Sequence, residues 1–157
     1  MEYQDLIKTI ESTTVKIIAI DGRCAAGKTT LAGKMAEELH CKVVHMDDYY
    51  LPFGKRTDSV MQNPGGHMDY ERIIDEIFAP LKAGKEAWCH PQLEAYYDYK
   101  IFLDIVPEEQ ERRLTQRNPE RVEMFQKMWI LREEFYFEVY GVKEQSDVVM
   151  EMGGMTT

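Results

Sequence analysis

Gly22-Arg23-Cys24-Ala25-Ala26-Gly27-Lys28-Thr29 sets two glycines, a lysine and a threonine at the spacing G-x-x-x-x-G-K-[ST]. The chemistry this spacing serves is the gripping of a phosphate chain. Glycines let the backbone bend until successive N–H groups point inward as an anion-binding nest. The helix that starts near Lys28 adds unpaired N–H donors and the positive end of its dipole. Lys28 reaches the β- and γ-phosphates, the Thr29 hydroxyl is placed to hold Mg²⁺, and Ala25, Ala26 and Thr30 complete the nucleotide-binding loop. A second chemical pair follows in Asp47-Asp48-Tyr49-Tyr50. A carboxylate there can take the proton of an attacking hydroxyl or ligate Mg²⁺ through water. It can also simply cap a turn. Cys24 reads as a small side chain filling a loop position rather than as a reactive thiol.

Elements of two kinds must position these groups. The apolar run Val15-Lys16-Ile17-Ile18-Ala19-Ile20 reads as a strand leading into the loop, and residues 30–39 read as a helix leading out. Lys42-Val43-Val44-His45-Met46 reads as a second short buried strand, with His45 packed in it and the aspartates at its carboxyl end. In open α/β sheets, ligands bind outside the carboxyl ends of strands. Tyr3, Leu6, Ile7 and Ile10 have the spacing of an opening amphipathic helix. Residues 51–68, polar and carrying Gly and Pro, read as a long functional loop. Asp69 reads as the cap of a helix with Ile73, Ile74, Ile77, Phe78 and Leu81 on one face. Residues 100–105 read as a strand, Pro107 opens a polar helix through Arg117, and residues 121–140 read as a long helix. That last helix takes its apolar face from Val122, Phe125, Met128, Trp129, Phe135 and Tyr136. Residues 147–151 read as a final strand. Strands alternating with helices predict parallel pairing and an α/β sandwich; with the G-x-x-x-x-G-K-[ST] loop between its first strand and helix, the expected fold is a three-layer P-loop NTPase sandwich.

At 157 residues the expectation is one domain over 1–152 with a tail at 153–157. A net charge of −9 disfavours nucleic acid and anionic lipid as main partners. Cys24, Cys41 and Cys89 lack metal-ligand spacing and point to a reducing compartment. No apolar run approaches membrane-spanning length and no secretory pattern opens the chain, so the cytoplasm is expected. Phe135, Tyr136 and Phe137 are consecutive, so at least one points away from the core face, toward an interface or a lid. Oligomeric state stays open.

The run 18–30, followed by His45-Met46-Asp47-Asp48-Tyr49-Tyr50-Leu51-Pro52, resembles the uridine kinase group of P-loop kinases, which lies close to pantothenate kinase and phosphoribulokinase. Tyr97-Asp98-Tyr99-Lys100-Ile101-Phe102-Leu103, Arg113-Leu114-Thr115-Gln116-Arg117-Asn118 and Trp129-Ile130 extend the likeness over nearly the whole chain. The resemblance implies ATP and Mg²⁺ as cofactors and a small-molecule acceptor, a nucleoside or similar. It implies Asp47 as catalytic base, Tyr50 against the nucleoside, and Arg113 and Arg117 in a lid over the transferring phosphoryl group, with Arg121 a weaker candidate. Asp69 matches a family acid near the ribose, and capping explains it equally well.

The sequence also departs from that pattern. The family carries another strand, between the first two in the sheet, that bears a second acidic position near Mg²⁺. Here no run of four or more apolar residues lies between Leu81 and Lys100. Without that strand, the second strand must pair directly with the first or lose its partners. Three explanations are open: residues missing between Trp88 and Cys89, a shortened natural variant with rearranged pairing, or a paralogue that folds without catalysing. The expected function is a nucleoside-type kinase. The alternatives are a nucleotide-binding protein without phosphotransferase activity and, last, a plain hydrolase or switch.

Overall fold

The computed structural model describes residues 1–79, 93 and 96–153. The chain opens with α1 (Tyr3–Glu11), β1 (Ile18–Gly22) and α2 (Lys28–Leu39). After a long connection come α3 (Asp58–Gln62) and α4 (Tyr70–Ile73), the latter continued by a wider π-type turn at Ile74–Phe78. Next are β2 (Tyr99–Asp104) and α5 (Pro107–Arg117). Then α6 (Val122–Met124) runs through a π-type turn at Phe125–Trp129 into α7 (Ile130–Tyr140), and β3 (Val148–Glu151) ends the described fold. No helix among the described residues is long and apolar enough to cross a membrane.

The strands pair in parallel in the order β1-β2-β3, with Ile18 opposite Tyr99 and Ile101 opposite Val148. Parallel neighbours need a crossover, and the intervening helices supply it. Side chains of β2 alternate between faces. Ile101 and Leu103 pack with Leu6, Ile7 and Ile10 of α1 and Leu31 and Met35 of α2. Phe102 turns the other way, onto Phe137 of α7 and Val142, with the Phe102 and Phe137 rings edge-on at 5.0 Å. Sheet and flanking helices therefore form the expected three-layer α/β sandwich. Pro107 sits in the first turn of α5, where its missing N–H costs nothing.

Other expectations need correction. Residues 42–46 form no strand: 42–45 have no regular structure and pair with no strand among the described residues, and Met46 opens a 3-10 turn, Met46–Tyr49. Val43 and Val44 are 37% and 46% exposed, and His45 is exposed rather than packed. A strand exists only by pairing, and among the described residues these have no partner. β1 spends one edge on β2, and its other side faces a groove of about 610 Å³ whose far wall is 41–47. The family strand missing from the sequence, and the Trp88–Cys89 junction, lie outside the described residues. The connection 51–68 is not irregular throughout, since α3 lies within it, capped by Thr57. A bridge between Tyr50 and Met68 pins its two ends together. On the last long helix, Met128 and Phe135 are exposed while Phe137 is buried.

Gly22 ends β1 with φ +133°, and a Cβ there would lie 2.2 Å from the Leu103 carbonyl oxygen. Only glycine fits this approach of loop to sheet. Gly22→Ala is expected to destabilise the chain by about 3 kcal/mol or more, since strain and overpacking each cost about 1–3. Chemical denaturation of both proteins checks this, and equal midpoints would contradict it.

Candidate active site

β1 delivers the chain to the sheet's carboxyl end, where the loop turns into α2. Gly22, Ala25 and Gly27 all have positive φ, at 133°, 61° and 102°. This is the curled backbone of an anion nest. Helix α2 has no side-chain cap and no acidic residue in its first turn, so its positive end is left open toward the loop. The loop is braced from α5. Gln110 Nε2 donates to the Cys24 carbonyl at 3.0 Å, and Arg113 Nη1 donates to the carbonyls of Ala25 and Ala26 at 3.2 and 3.4 Å. Arg23 is held by Asp104 at 2.6 Å and by Glu134. Burial pushes the Asp104 carboxyl up, but hydrogen bonds from Lys143 and Arg23 outweigh it and hold the group below the usual carboxylate range.

Lys28 folds back over the loop. Its Nζ donates to the carbonyls of Gly22 and, at 3.0 Å, Arg23. Two carboxyls stand nearby. Asp21 is 5% exposed and accepts from the Gly22 N–H at 2.7 Å. Glu133 of α7 accepts from the Cys24 N–H at 2.8 Å and lies 3.9 Å from Lys28 Nζ. Burial raises both carboxyls above their ordinary range, against the attraction of Lys28.

Between its unfolded and its raised folded value, a carboxyl such as Asp21 holds more proton in the folded chain than in the unfolded one. The stability that Asp21 contributes is therefore complete below the ordinary carboxylate value of about 4 and is lost as pH rises through its folded value. Melting curves from pH 4.5 to 7.5 should show wild type losing stability relative to Asp21→Asn as pH rises. A pH-independent difference would contradict the assignment.

The loop forms one wall of a cavity of about 970 Å³. Gly22, Ala25, Gly27, Lys28, Thr29, Thr30, Asp47, Tyr50, Arg113 and Arg117 line it, as does Arg121. Ala26 lies just beneath, 1% exposed, in the core. Asp69 is not among the lining residues; its carboxylate accepts from the Arg72 N–H at 3.2 Å and caps α4. Asp47, on the 3-10 turn, accepts from the Tyr50 hydroxyl at 2.8 Å, and burial pushes the Tyr50 phenol up. Tyr50 continues into a ring cluster: His67 lies 5.2 Å from it, and Trp129 lies 5.6 Å from His67. Burial, then Arg56 and Arg132, lower the His67 value, which keeps the ring neutral near pH 7.

Among the described residues no cluster of three or more His, Cys, Asp or Glu could hold a metal by itself. Mg²⁺ at a phosphate site does not need one. It takes one or two protein oxygens and completes its shell from phosphates and water. Thr29 and Asp47, which line the same cavity, fit that donor set.

Sequence reasoning missed Glu133, Arg132 and His67, which also line the cavity. Only distant packing brings them there, and Glu133 meets Cys24 across 109 residues. Asp21 was within reach of inspection, because a carboxyl ending an apolar strand just before the loop is an anomaly.

No family model and no curated protein matches the chain. Solved structures do. A possible uridine kinase from Bacillus stearothermophilus superposes with a TM-score of 0.64 and 21% identity, over 96% of this chain and 100% of that one. An uncharacterized protein from Eubacterium ventriosum ATCC 27560 gives a TM-score of 0.51 and 14% identity, over 87% of this chain and 88% of that one. At such identities the likeness is one of fold, and the chain carries a uridine kinase-like fold of the α/β P-loop type.

Proposed function

We propose that the chain is an ATP- and Mg²⁺-dependent phosphotransferase acting on a hydroxyl of a small molecule, the 5′-hydroxyl of uridine or cytidine. One observation carries this reading: the phosphate loop and the Asp47–Tyr50 pair face a single cavity that also takes in Arg113 and Arg117. The loop amides and Lys28 would hold the phosphates, with Mg²⁺ on Thr29 and Asp47 neutralising charge. Asp47 would orient the acceptor hydroxyl in line and take its proton. The bond from the γ-phosphorus to the bridging oxygen breaks as a bond to the acceptor oxygen forms, and ADP leaves. Arginine forks suit the charge spread over the transferring group. Catalysis of this kind is positioning plus charge neutralisation. The rings of Tyr50, His67 and Trp129 offer a planar acceptor an apolar surface to lie against.

A second reading, a nucleotide-binding protein without transfer activity, is favoured by one feature. Asp47 follows residues 42–46, which no neighbouring strand among the described residues holds in register. One assay separates the two. The chain is incubated with MgATP and a panel of nucleosides, pantothenate and sugars. ADP formation that depends on one acceptor supports the kinase. Nucleotide binding without it supports the second reading, and phosphate release with no acceptor supports a hydrolase.

A further inference from the structure

The nest is not facing solvent alone. A carboxylate from α7 already holds one N–H of the loop and stands beside its lysine. Glu133 Oε2 accepts from the Cys24 N–H at 2.8 Å, and Oε1 lies 3.9 Å from Lys28 Nζ. The Lys28 ammonium is a donor that an incoming phosphate would also use, and the Cys24 N–H lies in the same loop. The Glu133 side chain is 13% exposed, and its neighbour on α7, Glu134, pairs with Arg23 of the same loop. Two consecutive acids of one helix therefore hold the loop. The first turn of α2 brings no acid of its own to the site. We propose that Glu133 is a built-in competitor for the phosphate loop: bonded to the Cys24 N–H and set against Lys28, it is a stand-in for phosphate and must be displaced before a phosphate chain can bind.

This rests on the loop being a phosphate site, and it adds the regulation of that site. Two anions cannot share one nest, so bound nucleotide and seated Glu133 exclude each other. Apparent affinity is then the intrinsic affinity reduced by the fraction of molecules with the nest open. A charge-assisted hydrogen bond plus attraction to Lys28 is strong enough for a penalty of about tenfold to a hundredfold. Release of Glu133 removes one of the two acid ties between α7 and the loop. That helix is continuous with the segment carrying Trp129, which reaches through His67 toward Tyr50. Loading the nucleotide is thereby linked to the wall of the acceptor side.

The test is calorimetry on the full chain with two probes, MgATP and inorganic tripolyphosphate, the second carrying the phosphates without a base. Glu133→Gln keeps an acceptor for the Cys24 N–H and nearly the same volume. Glu133→Ala is a second variant, and thermal melting verifies that each is folded. Both are expected to bind tripolyphosphate about ten- to a hundredfold more tightly than wild type. A merely structural residue cannot give this result, because damage loosens binding. Equal or weaker binding by the variants, with wild type binding normally, overturns the plug and leaves the phosphate site standing. Absence of binding by wild type and variants alike overturns both.

Discussion

Lys28→Ala is expected to abolish turnover, a fall of about 10³-fold or more in acceptor-dependent ADP formation. Loss of one preorganised donor to a developing negative charge costs about 10²–10³-fold by itself. Lys28 supplies a full charge within a cavity walled by the loop and α7. The lysine does little for the sheet: its partners are the Gly22 and Arg23 carbonyls and, at longer range, Glu133. The variant should therefore still melt cooperatively. Its affinity for MgATP should drop about tenfold or more, the scale of a lost hydrogen bond to a charged group. A coupled ADP assay checks the rate, and full activity in Lys28→Ala would refute the role.

Asp47→Asn separates chemistry from binding. The amide still accepts from the Tyr50 hydroxyl, so the turn at Met46–Tyr49 keeps its local partner. It cannot take a proton at neutral pH. Acceptor-dependent ADP formation should fall by about 10²–10⁴-fold, the range of general-base catalysis. MgATP binding should persist, because the loop, Lys28 and Thr29 are untouched and an amide oxygen at position 47 can still accept from a water on Mg²⁺. Should both rate and acceptor affinity survive the substitution, Asp47 is a turn residue and no more.

The parts of this site that could be read from sequence are those whose geometry is local. Gly22 and Gly27 had to curl because the motif demands it, and they do. Pro107 and Arg117 bound α5 as expected, because proline at a first turn is a local signal. Leu6, Ile7 and Ile10 are buried because their spacing leaves no other face. Residues 42–46 show the limit. Their composition suits a strand, but a strand exists only by pairing, and β1 offers its bonded edge to β2, about 80 positions onward. Arg113 shows another limit. The family resemblance set it in a lid over the transferring group, yet its guanidinium is tied to the loop carbonyls and to Glu109, which makes it a brace for the loop. Glu133 had no local signal at all. On α7 it is one acid among several, and only the fold reveals that it meets the Cys24 N–H.

One titration bears most directly on the central claim that the turn after β1 is a ready-made receptor for a metal-bound triphosphate. MgATP at millimolar concentration is injected into wild type, Glu133→Gln and Lys28→Ala in parallel. Saturable heat is predicted from wild type, a tighter isotherm from Glu133→Gln, and a much weaker one from Lys28→Ala. No heat of association from either wild type or Glu133→Gln would contradict the claim.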